Sequence, residues 1–188
     1  ELDAWPRERI FSECGLPWVP PSPNMPTPET ALAYAGTCLF EGVNMNEGRG
    51  TDTPFLLIGA PWLDAEAVAG TIVENERPGC RLEPVRYTPV PIPGKASKPA
   101  YQNVPCAGIR IVIEDAPRVR SFTLALALLC AIRRRHPDDL KFTPHFDALA
   151  GTSDLRQRIL GGEPALEIVA RYEKDLRRFD ATRPRLYQ

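Results

Sequence analysis

Proline placement is the feature that most constrains the fold of this chain, because each proline removes an amide donor and keeps the preceding residue out of the α region. Five of the 21 prolines precede residue 25, and four lie within residues 91–105. We therefore expect residues 1–26 to form an extended, non-helical N-terminal segment and residues 91–105 a long surface loop. Three aromatic side chains favour an N-terminal segment that packs against the domain: Trp5, Phe11 and Trp18.

Capping residues and apolar periodicity predict several helices outside those segments. Thr27 and Pro28 form an N-cap and first-position pair, and Asp64 is a second candidate N-cap. The stretch Ser121–His136 is apolar nearly all round, which is typical of a buried helix. The predicted helices are Pro28–Ala35 ending at Gly36, Ala65 to about Asn75, Ser121–His136, His145–Leu149, a segment capped by Thr152 or Ser153 through Ile159, and Pro164 to about Phe179.

The clearest strand is Cys106–Glu114, which places Ile109, Ile111 and Ile113 on one face. Prolines in a second candidate, Arg81–Val90, favour a position at the edge of a sheet. Shorter strand candidates are Thr37–Phe40, Phe55–Ile58 and Leu140–Thr143. We therefore predict one α+β domain over residues 1–188, with a small mixed or antiparallel sheet, packed helices and long proline-rich loops.

Composition excludes several classes of function. The net charge of −1 provides no basic surface for nucleic acid, and the longest apolar run, Leu124–Ile132, is too short to span a membrane. The five cysteines lack metal-ligand spacing, so we expect free thiols, although a single disulfide stays open. No metal or organic cofactor is predicted. The sequence begins at Glu1 without a signal-peptide pattern, and we expect it to be part of a longer protein.

Candidate chemistry is concentrated in Glu41–Pro61, which we call the polar loop. Its glycines permit positive φ or close backbone approach, and it presents Glu41, Glu47 and Arg49. Standard phosphate-binding, dinucleotide, zinc-protease and serine-hydrolase motifs are absent from the sequence. Two carboxylates suit glycoside cleavage, which uses an acid and a second carboxylate or its substitute. The alternative is structural, with one or both acids bound to loop amides or paired with Arg49.

The region around this loop resembles the C-terminal domain of the NamZ-like exo-β-N-acetylmuramidases. The resemblance rests on the specific run from Trp18 to Trp62 and continues more weakly to Tyr187. Its motifs are Ser22-Pro23-Asn24-Met25-Pro26, Glu41-Gly42, Glu47-Gly48-Arg49-Gly50-Thr51, Pro54-Phe55 and Gly59-Ala60-Pro61-Trp62.

The resemblance implies a glycosidase that removes N-acetylmuramic acid from the non-reducing ends of peptidoglycan fragments. Family members have a larger N-terminal Rossmann-like domain, absent here, and an active site in the cleft between the two domains. The main catalytic glutamate is expected in that missing domain. A periplasmic or secreted location follows from the substrate alone. The rival hypothesis is a non-catalytic carbohydrate-binding or interaction domain.

The resemblance also suggests roles for individual residues. Glu41 and Glu47 are the candidate catalytic carboxylates of this chain, and Glu47 is alternatively an orienting partner of Arg49. The planar guanidinium of Arg49 suits the lactyl carboxylate of N-acetylmuramic acid. The other candidate substrate-binding residues are Ser22, Asn24, Asn46 and Thr51.

Overall fold

The computed structural model describes residues 9–182. Its helices are α1 (Pro28–Thr37), α2 (Ala65–Thr71), α3 (Ser121–Arg135), α4 (Pro144–Ala150), α5 (Asp154–Leu160) and α6 (Ala165–Thr182). Its strands are β1 (Leu57–Ala60), β2 (Cys80–Tyr87) and β3 (Cys106–Ile113). Short 3₁₀ helices cover Phe11–Glu13, Cys38–Gly42, Glu74–Glu76 and Ala116–Arg118.

The three strands form one antiparallel sheet in the order β1-β3-β2. The most strand-like sequence, β3, is central and pairs Ile109 with Ile58 on one side and Ile111 with Leu82 on the other. The proline-containing β2 lies at an edge, as predicted. The α+β expectation is therefore confirmed, and the sheet is antiparallel.

Helix α3 is the centre of the hydrophobic core. Every residue from Leu124 to Ile132 is buried, and helices α1, α2, α5 and α6 pack on it. Burial of each large aliphatic side chain contributes about 1.5–3 kcal/mol of transfer free energy. At its C-terminal end, Arg135 donates to Asp64 with an Nη2–Oδ2 distance of 2.6 Å, which links α3 to the N-cap of α2. Arg135 therefore makes a structural contact between two helices.

Helix α1 begins as predicted but does not end at Gly36. The Thr27 hydroxyl accepts a hydrogen bond from the Thr30 amide, and Pro28 is the first helical residue. Gly36 lies inside the helix. Glycine is required there because a Cβ would stand 2.0 Å from the Ser121 carbonyl oxygen. This glycine lets α1 approach α3 closely, so reading it as a helix stop was wrong.

Two predicted strands were also wrong. Thr37–Phe40 continues helically into the Cys38–Gly42 3₁₀ helix, and the Thr37 hydroxyl donates to the carbonyls of Ala33 and Phe55. Leu140–Thr143 forms only an isolated bridge between Phe142 and Val43. Helix α2 ends at Thr71, earlier than Asn75, and the following residues form the Glu74–Glu76 3₁₀ turn.

The two proline-rich segments are held by side-chain contacts, within the segment itself at the N-terminus and with the polar loop in residues 91–105. The rings of Phe11 and Trp18 meet edge to face at 5.0 Å, and the Trp18 indole donates to the Met25 carbonyl. Trp5 lies outside the described residues. In the 91–105 loop, the Tyr101 hydroxyl donates to the Asn44 carbonyl at 2.8 Å. The 91–105 loop is therefore anchored beside the polar loop. The side chain of Lys98, in the same 91–105 loop, is exposed to solvent.

All five cysteines are free thiols, which confirms the prediction made from their spacing. Within residues 9–182, no group of three or more His, Cys, Asp or Glu side chains is arranged to hold a metal ion. No helix in the same range has the length and apolar character needed to cross a bilayer.

Candidate active site

The helical continuation of α1 positions Glu41. Because the chain remains helical from α1 through the Cys38–Gly42 turn, Tyr34, Cys38 and Glu41 follow one another at spacings that share a helix face. This places an aromatic ring, a thiol and a carboxylate along one side of the element that leads into the polar loop.

The polar loop then adopts backbone conformations that few residues tolerate. Gly48 has a φ of +83°, and a Cβ there would lie 2.5 Å from the Thr53 carbonyl oxygen. Phe55 also has a positive φ, 63°, although it carries a side chain. Its amide donates to the Glu47 carbonyl at 2.7 Å, and its own carbonyl accepts from Thr37 at 3.0 Å. A non-glycine residue in this region costs on the order of 1–3 kcal/mol, so the surrounding contacts hold it in place.

This backbone brings Glu41, Glu47 and Arg49 together, and we call these three residues the carboxylate–arginine cluster. Arg49 Nη1 lies 2.7 Å from Glu47 Oε1 and 3.1 Å from Glu41 Oε2. Arg49 Nη2 donates to the same Glu41 oxygen at 3.2 Å. The remaining N–H groups of Arg49 have no hydrogen-bond partner among residues 9–182. The arginine is therefore held by two carboxylates and keeps donors for a ligand.

Exposure separates the two carboxylates. The side chain of Glu47 is 8% exposed, whereas those of Glu41 and Arg49 are 20% and 31% exposed. Burial raises the pKa of the Glu47 carboxyl, and the charge of Arg49 opposes that rise. Burial also disfavours the charged form of Arg49, but the neighbouring Glu47 and Glu41 outweigh it and raise the guanidinium pKa. Glu47 is thus the buried anchor, and Glu41 is the carboxylate a ligand can reach.

Two aromatic residues, Phe55 and Tyr34, pack beside the cluster. The sequence analysis did not assign either of them to the site. The guanidinium carbon of Arg49 lies 5.0 Å from the ring centroid of Phe55, within cation–π distance. The Tyr34 ring meets the Phe55 ring edge to face at 4.8 Å. Partial burial raises the pKa of the Tyr34 hydroxyl, with further contributions from Cys38 and Glu41. The spacing of Tyr34 and Glu41 was the available signal, but it appears only if the helix continues past Gly36.

Asn46 and Thr51, both predicted to bind substrate, are engaged within the protein. Asn46 is buried, donates to the carbonyls of Arg49 and Ala100, and accepts from Gly48 and Tyr87. The Thr51 hydroxyl donates to the Gly48 carbonyl at 2.6 Å. Their contacts shape the polar loop.

Ser22 and Asn24 lie on the N-terminal segment and contact the 91–105 loop. The Ser22 hydroxyl accepts from the Asn24 amide at 3.3 Å, which stabilises a local turn. The Asn24 side chain donates to the Lys95 carbonyl at 2.9 Å. The 91–105 loop in turn borders the polar loop, since a Cβ on Gly50 would contact Pro99. Ser22 and Asn24 are thus connected to the carboxylate–arginine cluster through the 91–105 loop.

Comparison with known proteins identifies the family. The sequence profile described as "Exo-beta-N-acetylmuramidase NamZ, C-terminal" matches residues 32–187. This chain belongs to the NamZ C-terminal domain family. The family assignment inferred from the polar-loop motifs is confirmed.

A curated relative and two solved structures agree with this assignment. The chain is 36% identical over 185 residues to the peptidoglycan β-N-acetylmuramidase NamZ of Bacillus subtilis strain 168, and the match covers 97% of this chain and 43% of the relative. Two DUF1343 family proteins of Bacteroides fragilis NCTC 9343 share its fold. One has a TM-score of 0.78 at 22% identity and covers 98% of this chain and 49% of its own. The other has a TM-score of 0.62 at 30% identity, with coverage of 86% and 41%.

The chain therefore spans less than half the length of each of these three relatives. Membership of a peptidoglycan glycosidase family is established by the profile and the curated relative.

Proposed function

We propose that the full-length protein is an exo-β-N-acetylmuramidase that releases N-acetylmuramic acid from the non-reducing ends of peptidoglycan fragments. In this proposal the chain forms one wall of an active-site cleft, and a preceding Rossmann-like domain forms the other wall and supplies the main catalytic glutamate. The observation that carries the proposal is the carboxylate–arginine cluster, a partly buried group held on a strained loop in a member of this family.

Glu41 is the carboxylate of this chain that acts on substrate. Its side chain is more exposed than that of Glu47, and Arg49 fixes its orientation through Nη1 and Nη2. A carboxylate held in this way can bind a sugar hydroxyl or act as the second carboxylate in glycoside cleavage. Glu47 holds the opposite side of Arg49 and has a positioning role.

Arg49 binds the sugar through the donors that the two glutamates leave unused. A guanidinium with free N–H groups can donate hydrogen bonds to the lactyl carboxylate of N-acetylmuramic acid or to one of its hydroxyl oxygens. Because Arg49 already neutralises part of the charge of two carboxylates, it should bind an anionic group more weakly than an unpaired arginine would. We therefore expect Arg49 to contribute more to orienting Glu41 than to substrate affinity.

The substrate also determines the location we propose. Peptidoglycan lies outside the cytoplasmic membrane, so a periplasmic or secreted protein follows from the proposed reaction.

The test is product release by the full-length gene product. We expect free N-acetylmuramic acid from a disaccharide whose non-reducing sugar is N-acetylmuramic acid. A disaccharide ending in N-acetylglucosamine is the matched control and should release no sugar. Chromatography with mass detection distinguishes the two products, which differ by the lactyl group.

Two results would contradict the proposal. Equal cleavage of both disaccharides would remove the role of the lactyl group in recognition. Binding of the muramyl sugar without cleavage would identify the protein as a carbohydrate-binding module instead of an enzyme.

A further inference from the structure

An apolar groove runs along helix α6 and reaches Cys38, three residues before Glu41. It has a volume of about 630 Å³. Cys38 and Leu39 lie at one end, Phe122 and Tyr172 lie along it, and Leu176 and Phe179 lie towards the C-terminal end of α6. The rings of Phe122 and Tyr172 meet edge to face at 6.0 Å. We call this surface the α6 groove.

Several apolar side chains of helix α6 are left exposed by the rest of residues 9–182. Its buried residues are Ala165 and Ile168, both in the first turn. Towards the other end, the residues Leu176 and Phe179 are 57% and 59% exposed. Together with Phe122, they line the groove as an apolar strip, and an exposed apolar surface of this kind is typical of an interaction surface.

The α6 groove and the proposed active site share one short structural element. Cys38, which lines the groove, and Glu41, which belongs to the cluster, lie in the same turn of 3₁₀ helix. A domain that faces Glu41 across a cleft must contact this chain next to the cleft. The α6 groove is the apolar surface at that position, and apolar contacts of this kind hold domains together.

The lengths of the relatives identify the occupant. More than half of the B. subtilis enzyme and of both B. fragilis proteins lies outside the part that this chain matches. The family is defined as the C-terminal part of NamZ, so the remainder precedes it. We propose that the α6 groove is the docking surface for the preceding domain of the same protein, an inference that rests on the proposed function.

The chemistry of the groove specifies its partner surface. Glu173 and Asp175 border the apolar strip. Glu173 is already paired with Arg177 on the same helix at 3.6 Å, so the complementary surface should present above all an apolar ridge that fills the groove. Fixing the groove against that ridge would hold Glu41 at a constant distance from the opposite wall.

Hydroxyl-radical footprinting of the full-length protein tests the proposal directly. Val73 is the internal control, since it is 57% exposed and is the N-cap residue of the Glu74–Glu76 3₁₀ turn after α2. After correction for intrinsic reactivity, we expect Leu176 and Phe179 to be oxidised about tenfold more slowly than Val73, because the interior of an interface excludes water. Equal corrected rates would overturn the proposal.

A pair of variants gives a second readout. Phe179→Asp in the full-length protein should weaken docking and restore oxidation of Leu176, whereas Val73→Asp should leave Leu176 protected. Continued protection of Leu176 in Phe179→Asp would contradict docking through this strip. The wild-type footprint stands independently if the variant does not fold.

The occupant is distinguished by two further comparisons. Protection that disappears on dilution would assign the groove to a second copy of the protein. Protection that disappears on deletion of residues 183–188 would assign it to the end of this chain. Either result overturns the proposed occupant.

The footprint is independent of catalysis, so the two proposals can fail separately. Protection without sugar release would retain the docking surface and reject the enzyme. Sugar release without protection of Leu176 and Phe179 would retain the enzyme and reject the docking surface.

Discussion

The polar loop and helix α3 are both packed inside this domain, but different interactions hold them. Helix α3 has a continuous buried stretch from Leu124 to Ile132, and apolar burial stabilises it. The polar loop contains positive-φ residues at Gly48, Gly50 and Phe55 and depends on side-chain and backbone hydrogen bonds. Strained backbone that carries ionised groups is typical of functional sites, whereas α3 has the features of a structural core.

The largest difference between the polar loop and helix α3 should appear in catalytic activity. Arg49→Ala removes the group that binds both glutamates, and we expect kcat/KM of the full-length protein to fall by about 10²–10³. Arg49→Lys should restore little, because a single ammonium group cannot replace the planar guanidinium at both carboxylates. Arg156→Ala is the matched control, since Arg156 forms a two-point ion pair with Asp147 outside the cluster. A similar loss of kcat/KM in Arg49→Ala and Arg156→Ala would show that the cluster is no more important for activity than an ion pair outside it.

For α3, we expect substitutions to act mainly on the free energy of unfolding. Leu128 is fully buried, and Leu128→Ala should lower the free energy of unfolding by about 2–5 kcal/mol through lost burial and a residual cavity. Chemical denaturation of the 188-residue chain measures this effect. Leu160→Ala, at a 41% exposed position, should change stability by about 0.5 kcal/mol or less. Equal effects of the two substitutions would show that α3 is not the core.

Backbone conformation gives a smaller but specific contrast. Gly48→Ala adds a Cβ at positive φ, 2.5 Å from the Thr53 carbonyl oxygen, and should destabilise the chain by about 2 kcal/mol or more. Gly70→Ala is the control in α2, where a Cβ meets no atom within 4 Å. That change should stabilise the chain by about 0.5–1 kcal/mol, because alanine is favoured over glycine in a helix. Thermal unfolding with opposite signs for the two variants would support the polar-loop geometry, and equal signs would contradict it.

The smallest effect is a pH dependence. Burial raises the folded-state pKa of Glu47 above its ordinary value of 4.5, so the folded protein holds the proton more tightly than the unfolded chain. Its contribution to stability is fully present below the unfolded pKa and is lost as pH rises through the folded pKa. Glu47→Gln lacks this titration. The stability of wild type relative to Glu47→Gln should therefore fall as pH rises above about 4.5, and a constant or increasing difference would contradict the buried assignment.

Local signals predicted much of this fold. Thr27 and Asp64 were identified as N-caps, and their side chains accept hydrogen bonds from Thr30 and Ala67. The central strand and the buried helix followed from apolar periodicity. The positions of the acids and Arg49 within one glycine-containing loop also indicated that they could meet.

Long-range contacts set the remainder and could not be read from neighbouring residues. The requirement for glycine at position 36 comes from Ser121, which is distant in sequence. The positive φ of Phe55 depends on Thr37 and Glu47, because aromatic residues have no intrinsic preference for that conformation. The separation of Glu41 and Glu47 into exposed and buried partners likewise depends on how the chain packs.

The most direct test of the central claim is kcat for Glu41→Gln in the full-length protein, measured as N-acetylmuramic acid release from the muramyl-terminated disaccharide. Glutamine preserves the shape but removes the carboxylate, so we expect kcat to fall by about 10²-fold or more with the melting temperature little changed. Asp147→Asn is the matched control, because it alters the ion pair with Arg156 outside the cluster and should retain near wild-type kcat. Wild-type kcat in Glu41→Gln would contradict a functional role for the carboxylate–arginine cluster and leave it a structural feature of the loop.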